Sequence, residues 1–243
     1  GCRLPLFLFA RGGWAAPFPL LTGLAVCAIL LIQWQVHEPP SSTHTPAAGS
    51  QSTLLRGIRE VLTHPSAVAG LLFGLLMSAG NEIVNIVFSL WLEQSFQLQV
   101  TALGAASLVI GLSELGGESL VSVITDRVGK SRAITYGLIL NSLMAVSLVW
   151  MGRTLPGAVV GLFLFYITFE FTIVSAIPMM TEILPARRAT LLAVNISAFS
   201  LGRALASWLA APVFGWGIFA SGLVAAAFNT LALFALRRIR IHE

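Results

Sequence analysis

Charge is what this chain has least of. Of its 243 residues only 10% are Asp, Glu, Lys or Arg, against 56% that are hydrophobic, and the mean hydropathy is +0.87. A soluble domain carries about 25% charged residues, so this composition excludes a water-exposed globular fold and belongs in lipid. Cysteine is scarcer still. Cys2 stands near the chain start and Cys27 inside an apolar run; the pair has neither metal-ligand spacing nor the setting of a disulfide, and both are expected to be inert. A membrane-embedded enzyme is expected to present an additional soluble domain or a catalytic cluster, and neither an H-E-x-x-H site nor a P-loop occurs. The chain is therefore read as no enzyme, with no metal and no cofactor. The net charge of +4 does not point to nucleic acid, because the basic residues gather in short connections at the ends of apolar runs, where they act as a topology signal. No cleavable signal peptide is evident: the chain begins with Gly rather than Met, and "RGGWAAPFP" instead of a basic segment precedes the first apolar run, so the opening reads as truncated.

What is present is a series of long apolar stretches. Seven are long enough to cross about 30 Å of hydrocarbon at about 20 residues each: Phe18 to Val36, Val68 to Trp91, Thr101 to Thr125, Ala133 to Gly152, Leu155 to Thr181, Thr190 to Ala211 and Val213 to Leu236. The 22 glycines fit that reading, because small residues let membrane helices approach closely. Between the first two stretches, residues 37–64 with their "EPPSSTHTPAAGSQST" core show no hydrophobic period and read as a flexible linker. Three units follow: 1–36 as the end of an earlier helical unit, 37–64 as the linker, and 65–243 as a six-helix unit. Threaded alternately, the spans put Arg56, Arg59, Arg127, Lys130, Arg132, Arg187, Arg188, Arg237, Arg238 and Arg240 on one side, and only Arg3, Arg11 and Arg153 on the other. That asymmetry orients the linker and the C-terminus to the cytoplasm. Trp14, Trp91 and Trp150 fall near predicted span ends and are expected to anchor at the membrane interface.

Five charges fall inside the spans: Glu82, Glu114, Glu118, Glu170 and Arg203. Charges at that depth are costly, so they are expected to face a bundle interior or an aqueous cavity. Ser78, Glu82, Asn85 and Ser89 repeat at four, three and four residues and form one polar stripe. The stripe either lines a cavity or stitches helices together. Glu114, Glu118, Ser122 and Asp126 form a second stripe at intervals of four, and Glu170 and Arg203 are candidates to pair across the bundle. Four acids against one internal Arg leave three negatives uncompensated if all ionise, so at least one is expected to bind a proton in some state. Glu114, the deeper member of its stripe, is the stronger candidate.

The second stripe runs into "TDRVGKSR", Thr125 to Arg132. This run resembles the loop signature of the major facilitator superfamily, G-x-x-x-D-R-x-G-R-R. Asp126, Arg127 and Gly129 match; Lys130 replaces an Arg, Ser131 stands at the next basic position with Arg132 just beyond, and Ser122 occupies the leading Gly position. "GWAAPF" at Gly13 to Phe18 and "TEILPARRATLLAVN" at Thr181 to Asn195 look like further loops of that family. The resemblance implies an all-α polytopic membrane protein, a partial major facilitator fold whose seven transmembrane helices correspond to helices six to twelve, with helices one to five missing from the chain. It implies secondary active transport of a small-molecule substrate by alternating access, most simply proton-coupled efflux of the antiporter type, in a multi-pass inner or plasma membrane protein with a cytoplasmic C-terminus. Glu82, Asn85, Glu114, Glu118, Glu170 and Arg203 are then the transport-path or coupling residues, and Asp126, Arg127, Gly129, Lys130 and Arg132 the cytoplasmic gate. Proton-coupled uptake of a sugar or carboxylate, or a non-transporting membrane sensor or structural fragment, are the alternatives.

Overall fold

The computed structural model describes residues 17–35, 51–98 and 100–239, and among them every regular element is helical. The expectations for Cys2, the opening turn at residues 13–16, residues 36–50 and Arg240 lie outside the described residues. Two compact units emerge, Gly1–Ser50 and Gln51–Glu243. The first contains helix α1 (Pro17–Gln35), uniformly apolar, with Cys27 on its exposed surface.

The second unit contains α2 (Gln51–Thr63), α3 (Pro65–Phe96), α4 (Val100–Val128), α5 (Lys130–Met151), α6 (Leu155–Ile183), a 3-10 turn (Pro185–Arg187), α7 (Arg188–Phe214) and α8 (Ile218–Leu236). Six of these helices, α3 to α8, are long and apolar enough to span a membrane. Local chemistry sets their ends. His64 Nδ1 accepts from the Ala67 amide at 3.3 Å with Pro65 following, and Thr154 caps α6 through the Gly157 amide at 3.3 Å. Gly129, at φ 91°, is the whole connection between α4 and α5. A side chain is strained there, so the motif's glycine is a conformational requirement.

Three sequence expectations change. The segment read as flexible linker is helical over Gln51–Thr63: Gly57 and Val61, one turn apart, bury against the bundle, while Leu55, Arg56, Arg59 and Leu62 stay exposed. The boundary drawn between Ala211 and Val213 is absent: Pro212 sits inside α7, and the chain turns at Gly217, also at φ 91°. Trp91, expected at the interface, is 5% exposed and belongs to the core with Phe88, Leu148, Leu162 and Phe165. Trp150 does lie exposed, edge-on to Phe219.

The spans pack in the order α4, α6, α5, α8, α3, α7, an arc whose two outer members are α4 and α7. The apolar stretch of α3 is 67% buried, whereas those of α4 and α7 are each 17% buried. Small residues set the closest approaches: Gly137 of α5 lies against Thr172 of α6, and Gly222 of α8 against the Ala145 carbonyl of α5. At the α5–α6–α8 junction, Asn141 Nδ2 donates to the Phe165 carbonyl at 2.7 Å and to Thr168 Oγ1 at 3.1 Å, while Asn229 Nδ2 donates to Asn141 Oδ1 at 2.8 Å. Each such bond within a membrane contributes about 0.6 kcal/mol. Asn141→Leu removes all three, and is expected to cost about 2 kcal/mol and lower the melting temperature of the purified protein in detergent by roughly 4–8 °C. An unchanged melting temperature would mean that apolar packing alone holds this junction.

Candidate functional site

A groove of about 590 Å³ opens between α3, α4, α6 and α7, in the gap of the arc. Its polar floor comes from α3. Ser78, Glu82 and Asn85, spaced by four and three, point the same way, as helical periodicity requires; Ser89, the last member of that stripe, is not among the lining residues. Ser78 Oγ donates towards the Leu75 carbonyl at 2.9 Å and the Phe199 carbonyl of α7 at 3.0 Å, so one stripe both stitches helices and lines the groove.

The centre of the groove is an ion pair with a polar tail. Arg203 Nε of α7 donates to Glu82 Oε2 at 3.0 Å, Asn85 Nδ2 donates to the same oxygen at 3.4 Å, and Tyr166 Oη of α6 donates to Asn85 Oδ1 at 3.0 Å. The Glu82 side chain is 10% exposed and that of Arg203 60% exposed, so a nearly buried anion is held by a cation that still reaches the opening. Three helices are thus joined through the Glu82 carboxylate and the Asn85 amide. Glu114 completes the polar lining from α4, and Phe169, Ile173, Phe199 and Ile196 supply apolar walls.

The structure separates the remaining candidates. Arg203 pairs with Glu82 instead of Glu170, because α7 packs directly on α3. Glu170 is half-buried on α6 with its Cβ against Gly117 of α4, and it lies within electrostatic reach of Glu114 and Glu118. Neither Glu118 nor Glu170 is among the groove's lining residues. Glu114 and Glu118, expected to face a bundle interior or an aqueous cavity, lie on the exposed face of α4, because that helix ends the arc and only α6 covers it extensively. Among the described residues these three carboxylates form no ion pair.

The "DRVGKSR" run is a helix junction more than a loop: Arg127 lies in the last turn of α4, Gly129 turns, and Lys130 and Arg132 lie in the first turn of α5. The Asp126 side chain lies outside the described residues. Lys130 pairs with Glu182 at the C-terminal end of α6, whereas Arg127 and Arg132 are exposed. At the same end of the bundle, Arg187 grips Glu60 of α2 with two bonds, Nε–Oε2 at 2.7 Å and Nη2–Oε1 at 3.3 Å, and Arg56 adds a third at 3.3 Å. The Arg187 hydrogen bond foremost, together with the charges of Arg187 and Arg56, holds the Glu60 carboxyl below its ordinary range.

Sequence reasoning missed Asn81 and Glu182. Asn81 lines the groove with its Oδ1 buried and without a hydrogen-bond partner, but it sits one residue off the Glu82 stripe, so periodicity passed over it. Glu182 stands inside the quoted "TEILPARR" run, and only the folded chain brings it to Lys130, 52 residues away. No group of three or more His, Cys, Asp or Glu among the described residues is placed to hold a metal ion.

Comparison with known proteins adds two findings. Residues 2–207 match the Major Facilitator Superfamily. The chain is also similar to YceJ of Bacillus subtilis (strain 168), described as an uncharacterised MFS-type transporter, with 25% identity over 205 residues that cover 81% of this chain and 49% of the relative. The chain thus spans about half the length of the curated relative it matches.

Proposed function

Because this chain belongs to the Major Facilitator Superfamily, whose members are transporters rather than enzymes, we propose that its groove is half of a proton-coupled pathway for a small solute. In this reading residues 65–243 are the C-terminal six-helix half, α1 is the sixth helix of the preceding half and the seventh span of this chain, and residues 37–64 connect the two. Helices one to five complete the pathway from the other side, and the C-terminus is cytoplasmic.

The observation that carries the reading is the open arc. Its two least covered helices present Glu114 and Glu118 on α4, and Ser197, Ser200, Arg203 and Ser207 on α7. Lipid solvates such groups poorly, so this face suits a second helical unit enclosing an aqueous path. Alternating access then rocks the two units about the groove. Glu82, Asn85 and Arg203 form the central element, with Glu114, Glu118 and Glu170 offering further proton-binding carboxylates along the α4–α6 side. Protonating Glu82 removes the charge that Arg203 is bonded to and frees the guanidinium. The junction from Asp126 to Arg132, tied to α6 through Lys130 and Glu182, steadies the cytoplasmic end. Apolar walls around a compensated charge pair suit export of a drug-like or sugar-like compound. One observation favours uptake of a carboxylate instead: Arg203 remains 60% exposed while bonded, so an anionic solute competes with Glu82 for it.

The test uses the protein with its native upstream sequence, reconstituted into liposomes that trap a pH-sensitive dye. Candidate solutes are screened for solute-dependent proton movement. Glu82→Gln is expected to abolish that movement, whereas wild-type flux indifferent to the pH gradient would sink proton coupling.

A further inference from the structure

Helix α2 is built with two working faces. Gly57 and Val61 turn inward: Gly57 lies against Thr190 of α7, and Val61 is fully buried among Ala67, Leu71, Met180, Ile183 and Leu191. Glu60 binds Arg187 on the same side. The bundle leaves a second line uncovered, Leu55, Arg59 and Leu62, spaced by four and three and therefore on one face. Leu55 is 64% exposed and Leu62 53% exposed. Two uncovered leucines flanking an arginine, on a short helix whose other outward groups are polar, form the pattern of a helix lying in a membrane interface.

Depth agrees with that pattern. Leu62 stands three residues before Pro65, where the spanning helix α3 begins. At about 1.5 Å per residue, the 32 residues of α3 measure about 48 Å, slightly more than the 40–45 Å of hydrocarbon plus headgroups. The start of α3, and α2 with it, therefore sits at headgroup level. Charge agrees as well. Both described acids at this end are engaged, Glu60 by Arg187 and Glu182 by Lys130, whereas Arg59, Arg188, Arg237 and Arg238 are exposed. Ile239, just past α8, packs with the cluster that also holds Val61, so the basic C-terminal residues lie at the same end of the bundle as α2.

We propose that the Leu55–Arg59–Leu62 face of α2 is a docking surface for anionic phospholipid. The leucines enter the acyl boundary of the leaflet, and Arg59, its alkyl stem lying between them, meets the phosphate. The surface requires only that the bundle spans a bilayer, so it stands independently of the transport pathway and its coupling ion.

The experiment uses the protein with its native upstream sequence, Cys2 and Cys27 replaced by Ser, and a single Leu62→Cys labelled with an environment-sensitive fluorophore. It is reconstituted in phosphatidylcholine vesicles containing phosphatidylglycerol, with bromine on the acyl chains of one lipid or the other. Brominated lipid is expected to quench the Leu62 label, and brominated phosphatidylglycerol to do so with an apparent enrichment of about fivefold over an equal amount of brominated phosphatidylcholine. Arg59→Gln is expected to erase that enrichment while leaving quenching itself intact. A label at Arg56→Cys, on the water side, is expected to respond to aqueous iodide. Quenching of the Leu62 label by iodide and not by brominated chains, or by neither, would overturn the proposal, because α2 would then face water or be covered by protein. Equal quenching by the two brominated lipids would overturn the anionic preference.

Discussion

Gly202→Val is expected to be the most damaging single substitution in the bundle, lowering stability by about 3 kcal/mol and abolishing transport. Gly202 of α7 stands where α7 crosses α3, and a Cβ built there overlaps the Leu75 carbonyl and the Ser78 hydroxyl. Backbone cannot swing aside as a flexible side chain does, so the helices must separate. Separation loosens the longest shared boundary of α3 and breaks the Ser78 bond to the Phe199 carbonyl, which is 3.0 Å in the native packing. It also acts on the groove, because the next residue is Arg203 and its 3.0 Å bond to Glu82 crosses the same gap. The expected fall in melting temperature is roughly 6–12 °C. Gly202→Ala is damaging in the same direction, since the clash begins at Cβ. Gly111 is the matched control: it is a helical glycine of α4 with nothing within 4 Å of an added Cβ, and Gly111→Ala is expected to stabilise by about 0.5–1 kcal/mol through helix propensity. If both alanine variants melt together, close packing at Gly202 is not what joins α3 to α7.

Much of this architecture is visible in one-dimensional pattern, and the parts that are not share a cause. Apolar runs of membrane length translate into helices because the bilayer demands internal satisfaction of every backbone group; four of the six later stretches fall on helices to within a turn at both ends. The stripe through Ser78, Glu82 and Asn85 was legible because a buried polar face must repeat with the helical period. Pro212 misled the boundary because a proline reads as a break, yet near the end of a packed helix its missing hydrogen bond is tolerated, and the real stop is the positive φ of Gly217. Helix α2 stayed hidden because the Pro-, Ser- and Thr-rich run before it dominates the reading of residues 37–64, although Leu54, Leu55, Ile58, Val61 and Leu62 repeat within it at a helical period. Glu114 and Glu118 share a face of α4, as their spacing of four requires, but their exposure depends on which helix ends the arc. Order around a bundle is set by pairwise packing of distant segments, and no local pattern carries it. The same limit applies to Arg203: Glu170 is the partner the sequence suggests, and only the packing of α7 on α3 selects Glu82 instead.

That selected pair yields the second large effect, and its two halves are expected to behave differently. Arg203→Gln leaves the Glu82 carboxylate, 10% exposed, with the 3.4 Å contact from Asn85 as its remaining donor. Removing one partner of such a pair costs 2–5 kcal/mol. Because the arginine side chain is 60% exposed and partly screened, the lower end applies, about 2 kcal/mol and roughly 4–8 °C in melting temperature. Glu82→Gln is expected to cost less stability, since the freed guanidinium already reaches the opening and Gln still accepts from Asn85. The double variant Glu82→Gln/Arg203→Gln removes the stranded charge and is expected to regain most of the stability lost in Arg203→Gln. Function runs the other way. On the proposed coupling, any variant lacking the Glu82 carboxylate has no proton to exchange at that position, so Glu82→Gln and the double variant are both expected to lose proton-coupled flux, while Arg203→Gln is expected to retain part of it. Melting temperature and dye-reported proton flux measured on the same four proteins separate the roles. Strict additivity of the two single substitutions in melting temperature would show that Glu82 and Arg203 do not interact, and a double variant that still moves protons would remove Glu82 from the coupling mechanism.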